Sequence, residues 1–294
     1  MRVGIIGLGD IARKAYVPVL VGRSDLEPHL LTRDRVVLDE LGDAYRIPHR
    51  YTDLDALLGA GIEAAFVHAA TIAHRLIVER LLGAGCHVYV DKPLDVDLAG
   101  AEYLVELAEQ HERSLMVGFN RRYAPAYAEL ATLPRDLVVM QKNRADLAAQ
   151  PRAVVFDDFI HVVDTLRFLV PGEVEHVDVR TRVEAGLLQH VVLQLSGSGF
   201  TAVGIMNRVS GAAEESVEVS GRNRKRRVTD LAEIVEYGET VATTRRGDWT
   251  PVARQRGIEQ ACDAFLGAVR RGELLSARDA LETHALCERI VQES

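Results

Sequence analysis

Three residues of this chain have side chains and a spacing suited to moving a proton to or from a substrate: Lys92, Asp157 and His161. Lys92 follows an apolar run and precedes Pro93, which fixes its own φ and restricts the residue before it to extended conformations. Asp157 and His161 lie four residues apart, so on a helix they share one face. A carboxylate beside an imidazole raises the histidine pKa and holds one tautomer. The set predicts general acid–base chemistry on a hydroxyl or carbonyl.

The same residues also have structural interpretations. For Lys92 the alternative is a surface lysine that follows a strand, which is the less favoured interpretation. Asp157 and Asp158 stand where a helix N-terminus favours acidic side chains, and both roles can hold at once. Asp164 lies three residues beyond His161 and shares the predicted helix face.

A nucleotide site is predicted at the start of the chain. The apolar run Val3–Ile6 predicts a strand, and the sequence Gly7-Leu-Gly-Asp-Ile-Ala12 that follows has the Gly-x-Gly-x-x-Ala form of the dinucleotide fingerprint. Gly7 permits the tight turn, Gly9 lets a pyrophosphate approach, and Ala12 lets the helix pack closely on the strand. The residues assigned to the phosphates at this helix N-terminus are Gly7, Gly9, Asp10, Ile11 and Ala12.

The end of the second strand bears on the choice of cofactor. A predicted strand, Leu26–Leu31, ends in Thr32-Arg33-Asp34. An NAD site needs an acid there for the ribose hydroxyls, whereas an NADP site accommodates an arginine near the 2′-phosphate. Thr32 at the acid position, followed by Arg33, favours NADP. A shift of register that gives Asp34 to the ribose restores NAD, and that alternative stays open.

Alternating elements predict the fold class. Strands and helices alternate up to Gly118, which predicts an N-terminal Rossmann domain, a doubly wound parallel sheet over residues 1–118. Strand-like alternation from Val174 to Arg245 predicts a C-terminal domain, residues 119–294, built on an open, mostly antiparallel sheet. The helices predicted at Arg254–Arg270 and Ala277–Val291 either stay with that domain or pack back on the first. A helix predicted at Arg35–Tyr45 has an inward stripe of Val36, Val37 and Leu41.

Composition excludes several classes of protein. The 294 residues are 48% hydrophobic and 27% charged, enough for a core and about two domains. No apolar run approaches the roughly 20 residues of a membrane span, and the chain enters a strand at once, so neither a membrane segment nor a signal peptide is expected. The net charge of −8 argues against nucleic acid as a partner. The basic run at residues 222–227 is interpreted as a solvated turn between strands.

The cysteines predict the compartment. Cys86, Cys262 and Cys287 are widely spaced and form no Cys-x-x-Cys motif. They are expected to be free thiols in a reducing cytoplasm, and no metal site is predicted.

These features together resemble the glucose–fructose oxidoreductase / inositol dehydrogenase family, Gfo/Idh/MocA. The resemblance covers nearly the whole chain, and within the family it is nearest to the MviM-like bacterial members. Its marks are the glycine motif, Asp91-Lys92-Pro93 where the family commonly has Glu-Lys-Pro, Gly118–Tyr123, and the helix Asp157–Asp164. The marks of the subgroup are Lys14–Leu20, Phe66–His68 and Asp157–Thr165.

The resemblance implies roles for further residues. It assigns Lys92, Asp157 and His161 to the active site, with Phe159 where the family often has glycine. It places Asn120, Arg122, Tyr123 and Asp158 beside the substrate, and Thr71, His74 and Asp91 near the cofactor. Interdomain packing and helix capping are the alternative for Asn120, Arg122 and Tyr123. Lys142 and Arg144 end a strand and face either the cleft or solvent.

The function expected from these residues is hydride transfer between NADP, or NAD, and a sugar, cyclitol or related hydroxy or keto compound. Two alternatives are an enzyme that keeps and recycles a tightly bound nicotinamide cofactor, and a non-catalytic nucleotide-binding sensor or structural protein. The uncovered face of the second sheet predicts a homodimer or homotetramer.

Overall fold

The computed structural model describes all residues from 1 to 294, which form two compact units. The first unit comprises Met1–Gly118 and Ile258–Leu281, and the second comprises Phe119–Gly257 and Glu282–Ser294. A six-stranded parallel sheet and an eight-stranded, mostly antiparallel sheet confirm the predicted fold class.

The first unit is built on a parallel sheet in the order β3-β2-β1-β4-β5-β6. Its strands are β1 (Arg2–Ile6), β2 (Glu27–Leu31), β3 (Arg50–Tyr51), β4 (Ala64–Val67), β5 (His87–Val90) and β6 (Leu115–Val117). Its helices are α1 (Val17–Val21), α2 (Arg35–Ala44), α3 (Leu54–Gly59), α4 (His74–Gly83), α5 (Leu98–Gln110) and α10 (Ile258–Arg271). The chain order reverses between β1 and β4, and ligands of such sheets bind outside the strand ends at that point.

The first helical region and α2 differ in how regular they are. A π-helical segment, Ala12–Tyr16, leads directly into α1, where Pro18 occupies the first turn. Proline is tolerated there because the N–H that it lacks has no partner within the helix. In α2, Val36 is 68% exposed, and Leu38 and Leu41 are the buried positions. The prediction is thus confirmed for Leu41 and wrong for Val36, while Val37 is half-exposed.

The second unit contains a sheet in the order β14-β13-β12-β11-β7-β10-β9-β8. Its strands are β7 (Leu137–Asn143), β8 (His176–Glu184), β9 (Leu187–Gly197), β10 (Phe200–Asn207), β11 (Glu214–Gly221), β12 (Arg224–Thr229), β13 (Glu233–Tyr237) and β14 (Val241–Arg245). Its helices include α6 (Pro125–Leu130), α7 (Pro151–Val154), α8 (Ile160–Leu169) and α9 (Val252–Gln255), while α11 (Arg278–Gln292) contains the third boundary between the units. β7 pairs in parallel with β10 and antiparallel with β11.

The basic run is a strand rather than a turn. Only Arg222 and Asn223 form the turn, each with a positive φ, as a two-residue hairpin requires. The next residues form β12 between β11 and β13, where Arg226 pairs with Glu236 and Arg227 with Glu218. Opposite charges on neighbouring strands therefore neutralise most of the run, which sequence position alone could not reveal.

Helix α8 packs closely on the second sheet. A Cβ atom at Gly204 on β10 would lie 2.6 Å from Val162 Cγ1 and 2.8 Å from Leu166 Cδ1, so a larger residue there would displace both side chains. The buried residues of the strand alternate with half-exposed ones, from Phe200 to Asn207. One face of the sheet thus packs on the helix, and the other is only partly covered.

A buried ion pair also belongs to this core. Arg121 donates two hydrogen bonds to the Glu215 carboxylate, from Nε at 2.8 Å and from Nη2 at 2.7 Å. The Tyr127 hydroxyl donates to the same carboxylate at 3.1 Å. Arg121 is 5% exposed and Glu215 8%. Burial alone would raise the pKa of Glu215, but Arg121 outweighs it and holds that pKa at about 2. The pair is strong because both partners are desolvated and geometrically matched.

Acid stability tests this pair. A carboxylate whose folded pKa lies below its unfolded value stabilises the fold above the unfolded pKa, and loses that contribution as the pH falls through the folded pKa. Glu215 should therefore contribute about 3 kcal/mol that disappears between about pH 4.5 and pH 2. Glu215→Gln should flatten this acid limb and lower the free energy of unfolding at neutral pH by about 3–5 kcal/mol, because Arg121 is left without its counter-charge.

The measurement is equilibrium urea unfolding between about pH 7 and pH 3. Glu239→Gln, at an exposed glutamate of the same unit, is the matched control and should behave as the parent. Equal stability of Glu215→Gln and the parent at neutral pH would contradict the assignment.

Candidate functional site

A pocket of about 1110 Å³ lies in the first unit where β1, β2 and β4 end. Its lining includes Gly7, Gly9 and Asp10 after β1, Thr32 and Arg33 after β2, and His68 after β4. The reversal of strand order at β1 and β4 is where a doubly wound sheet opens a crevice for a ligand. The pocket therefore coincides with the position that the glycine motif predicts for a nucleotide.

The two glycines have different roles in forming the pocket. Gly7 has φ +83°, and a Cβ there would lie 2.4 Å from the backbone nitrogen of Ala69. It is needed for the turn and for close packing of two backbone segments. A Cβ at Gly9 would meet nothing within 4 Å, so this side of the turn is open to a ligand. Such a cradle fits the phosphates of a dinucleotide.

The other residues of the motif lie around this turn. Asp10 is exposed and forms a 2.6 Å ion pair with Lys14. Ile11 is 45% exposed, and neither it nor Ala12 lines the pocket. Ala12 is fully buried, which agrees with its predicted role in close helix–strand packing.

The end of β2 brings Thr32, Arg33 and Asp34 to the pocket. Asp34 caps helix α2, since its Oδ1 accepts hydrogen bonds from the backbone nitrogens of Val36 at 3.0 Å and Val37 at 3.2 Å. Its carboxylate is thus already engaged in the local fold. Arg33 is exposed at the pocket edge, where its guanidinium is available to an anionic group.

His74 takes a structural position. It is 1% exposed, and its ring nitrogens lie 2.9 Å from the carbonyl oxygens of Pro93 and Ala69. Burial lowers its pKa, although the two carbonyl contacts act in the other direction. The ring therefore ties the Lys92–Pro93 segment to the loop after β4, and does not line the pocket. Thr71, which begins a 3₁₀ turn before α4, does not line it either.

Lys92 follows β5 directly, and its peptide bond to Pro93 is cis. The backbone nitrogen of Lys92 donates to Asp91 Oδ1 at 2.8 Å. Burial would raise the pKa of Asp91, but His68 and Lys92 outweigh it and hold that pKa below its usual value. The carboxylate beside Lys92 is therefore ionised, which favours the charged form of any neighbouring base.

His68 is a residue that sequence reasoning missed as a site candidate. Its ring lies in the pocket wall and packs against Tyr16 with 4.0 Å between centroids and 34° between planes. Neither ring nitrogen has a hydrogen bond, and Nδ1 lies 3.7 Å from Asp91 Oδ2, longer than a hydrogen bond. Nearby, the hydroxyls of Tyr16 and Tyr89 form a hydrogen bond of 3.0 Å. The position directly after a parallel strand was the available signal.

The helix that carries the predicted acid–base pair contains a second π-helical segment. Val155–Phe159 is π-helical and leads into α8, so Asp157 lies in the π turn and His161 in the first turn of α8. Asp157 is exposed and His161 is half-exposed. Such insertions are frequent at functional sites because they change the direction in which side chains leave the helix.

Asp158 does not present an unengaged carboxylate to a substrate. Lys142 Nζ lies 2.6 Å from its Oδ1, Arg144 holds both oxygens at 2.8 and 2.9 Å, and Arg208 Nη1 donates to Oδ2 at 2.7 Å. Burial would raise the pKa of Asp158, but these cations hold it far below its usual range. Direct hydrogen bonding of Asp158 to a substrate hydroxyl is thus disfavoured.

Lys142 faces the interior and not solvent. It is 2% exposed, and burial together with the nearby Arg121 lowers its pKa to about 7 although Asp158 raises it. The signal was present in the sequence, because Lys142 shares the inward parity of Val138 and Met140 along β7. A charged residue on the buried face of a strand requires a partner.

The residues after β6 are held by their own unit. Asn120 donates from Nδ2 to the Arg256 carbonyl at 2.7 Å. Arg122 binds Asp164 through a short bidentate contact of 2.7–3.0 Å, and Asp164 is 1% exposed. Asp164 therefore anchors Arg122. These contacts favour the structural alternative for Asn120 and Arg122.

Tyr123 ends the 3₁₀ segment Asn120–Tyr123 and is only partly exposed. Burial raises the pKa of its phenol, so the hydroxyl stays protonated and can act as a hydrogen-bond donor.

One side-chain group in the first unit has the composition of a metal site. Glu27, His29 and His49 offer ligand atoms within 4.8 Å of one another. The two imidazoles stack at 4.3 Å between centroids with 11° between planes. Their in-plane lone pairs thus run side by side and do not converge on one ion at the roughly 2.1 Å that metal–nitrogen bonds need.

Comparisons with known proteins bear on the identity of the chain. The family model described as "Oxidoreductase family, NAD-binding Rossmann fold" (GFO_IDH_MocA) matches residues 1–119, and that of the "YceM-like, C-terminal domain" matches residues 125–238. The putative oxidoreductase YceM of Salmonella typhimurium is 34% identical over 99% of this chain and 96% of its own length.

Two further proteins extend the comparison. A D-apiose dehydrogenase of Paraburkholderia graminis is 30% identical over 88% of this chain and 78% of its own. The crystal structure of a dehydrogenase (MviM) from Clostridium difficile has a TM-score of 0.95, with 28% identity, and covers 100% of this chain and 99% of that one. No helix of this chain is long and apolar enough to cross a membrane. The expected resemblance is confirmed: the chain belongs to the Gfo/Idh/MocA family of oxidoreductases.

Proposed function

We propose that this protein transfers hydride between NADP and a sugar, cyclitol or related hydroxy or keto compound. The observation that carries the proposal is the pocket at the ends of β1, β2 and β4, with Gly9 open towards it. The D-apiose dehydrogenase, similar over most of its length, supports a polyol-like substrate. The three cysteines are free thiols, which supports a reducing compartment such as the cytoplasm.

In the proposed mechanism, NADP supplies the hydride acceptor, and the side chains of this chain manage the proton. His161 takes the proton from the substrate hydroxyl as hydride leaves the same carbon. Asp157, four residues earlier, orients the imidazole and stabilises its charged form. Lys92 positions the hydroxyl and relays the proton. The reverse assignment of His161 and Lys92 stays open, because coupled titration would hide which of them acts.

Replacement of these side chains tests the mechanism. General acid–base groups contribute about 10²–10⁴-fold, so Lys92→Ala and His161→Ala should each lower turnover by about that factor. Nucleotide affinity should stay within about a few-fold of the parent, since neither change removes a phosphate contact. Asp157→Asn should cost less than His161→Ala, because the base remains.

Steady-state kinetics with a polyol that the parent oxidises gives the turnover, and fluorescence titration of NADPH gives the nucleotide affinity. His176→Ala, at an exposed histidine on β8, is the matched control. Full turnover in His161→Ala would show that this histidine is only a structural residue of α8.

NADP is favoured by the residues nearest the end of β2. Asp34 lies beyond them and caps α2, where its Oδ1 accepts two backbone hydrogen bonds. Thr32 stands nearest the strand end, and Arg33 is exposed at the edge of the pocket. An arginine at this point suits a 2′-phosphate.

The cofactor preference can be measured directly. Binding should favour NADPH over NADH, and Arg33→Ala should weaken NADPH alone. An arginine–phosphate contact stabilises by about 1.5–3 kcal/mol, hence about ten- to hundredfold in affinity. Arg35→Ala, an exposed arginine outside the pocket lining, is the control. Equal losses for the two cofactors in calorimetric titrations would rule out the 2′-phosphate contact.

Assembly is proposed through the second sheet. On the face away from α8, the half-exposed side chains include Val139, Val192, Val203 and Ile205, which neighbour one another in the registers of β7, β9 and β10. A contiguous apolar patch on an open sheet is typical of an interface between subunits. We infer a homodimer or homotetramer joined through this face.

Light scattering at micromolar concentration should give two or four times the chain mass of 32.4 kDa. Val203→Lys, which puts a charge in the middle of the patch, should shift the mass towards one chain, whereas Val241→Lys, on the exposed strand β14, should not. A parent protein of monomeric mass would refute the interface.

A further inference from the structure

The second unit contains three cations gathered around a single acid. Lys142, Arg144 and Arg208, here called the basic cluster, all contact Asp158 at 2.6–2.9 Å. They come from the end of β7, from the residue just after it, and from the residue just after β10. The neighbouring cation Arg121 pairs with Glu215 at 2.7 Å, and Lys142 Nζ also lies 3.9 Å from that carboxylate. When Lys142 is protonated, these four cations face only two acids, so two positive charges remain unbalanced.

Such an excess is unfavourable in a protein interior. The side chains of Lys142 and Arg208 are 3% and 11% exposed, so neither charge is well hydrated. An unbalanced buried charge is expensive unless a group of opposite sign accompanies it. One cation would be enough to fix Asp158 and join its helix to the sheet. A structural role alone therefore leaves two of the three unexplained.

The cluster is also accessible from one side. The side chain of Arg144 is 31% exposed, and its bonds to Asp158 use Nε and Nη2. A planar guanidinium that is anchored on one edge and open on the other presents a preoriented donor to a carboxylate or phosphate. An incoming anion would bind the fixed guanidinium of Arg144 and would also be attracted by the unbalanced positive charge behind it.

The position of Asp158 relates the cluster to the proposed chemistry. Asp158 lies three residues before His161, in the π-helical segment that leads into α8. About one helical turn, or roughly 5 Å along the axis, separates the two residues. An anion held by the basic cluster would thus lie close to the proposed acid–base histidine.

We propose that the basic cluster is a binding site for an anionic group of the substrate, a carboxylate or a phosphate carried on the sugar- or polyol-like compound. This assignment rests on the proposed function for the identity of the bound molecule, but the site itself can be tested without turnover. It makes Arg144 and Lys142 determinants of substrate specificity, and gives Asp158 the role of positioning them.

Calorimetric titration with sodium sulfate tests the site directly, because sulfate has no titration of its own near neutral pH. The parent should bind one sulfate with a dissociation constant of about 1–10 mM. Arg144→Gln should weaken it by about tenfold or more, and Arg144→Lys should retain part of the affinity. Arg227→Gln, at an arginine that pairs with Glu218 elsewhere in the unit, is the control and should bind as the parent.

The pH dependence gives a second readout. The charges around Lys142 come from Asp158 in the π-helical segment, Glu215 on β11, Arg121 before α6, Arg144 just after β7 and Arg208 just after β10. Because the pKa of Lys142 is about 7, the cluster holds one more charge at about pH 6 than at about pH 9. Sulfate should bind more tightly at the lower pH. Binding that is unchanged in Arg144→Gln, or absent in the parent, would overturn the site.

Matched substrates separate the site from the reaction. D-gluconate and D-glucitol differ by a carboxylate, and D-glucose 6-phosphate and D-glucose differ by a phosphate. With NADP, the anionic member of a pair should have the higher kcat/KM by about tenfold, and Arg144→Gln should abolish that preference. Preference for the neutral member in both pairs would overturn the substrate assignment. Sulfate binding with no oxidation of any of the four compounds would support the anion site and count against the proposed function.

Discussion

The nucleotide pocket depends on the close approach of two backbone segments at the carboxyl end of the first sheet. Gly7 turns the chain after β1 so tightly that a Cβ would collide with the backbone at Ala69 after β4. Because β1 and β4 are neighbours in a parallel sheet, their ends meet at the reversal of strand order. This contact leaves Gly9 facing open space, and the rest of the pocket is arranged around it. Any side chain at Gly7 would therefore disturb sheet and pocket together.

The second unit depends instead on charged side chains that are buried away from water. Arg121, Glu215 and Tyr127 form a balanced group that stabilises the core, whereas the basic cluster around Asp158 is unbalanced. Low-dielectric surroundings strengthen both groups, but only the first is complete by itself. The difference distinguishes an interaction that serves the fold from one that is suited to a ligand.

Several residues from the family pattern serve the scaffold rather than the pocket. His74 holds the loop after β4 to the segment after Lys92, and Arg122 is fixed by the buried Asp164. Asp158 is enclosed by cations. A residue near a binding site can therefore have a supporting role, because the side chains that contact a ligand must themselves be held in place by their neighbours. His68, which belongs to a subgroup motif but was given no site role from sequence, instead lines the pocket.

The sequence by itself determined the local features: the glycine turn, the alternation of strands and helices, the Lys92–Pro93 segment and the family. These follow from short-range rules, since turn chemistry and side-chain periodicity are written in neighbouring residues. The tertiary structure alone decided which charges meet. Arg122 and Asp164 are 42 residues apart, Asp158 and Arg208 are 50 apart, and Arg121 and Glu215 are 94 apart. The strand character of residues 224–229 also depended on strand pairing, because the register is set by distant neighbours.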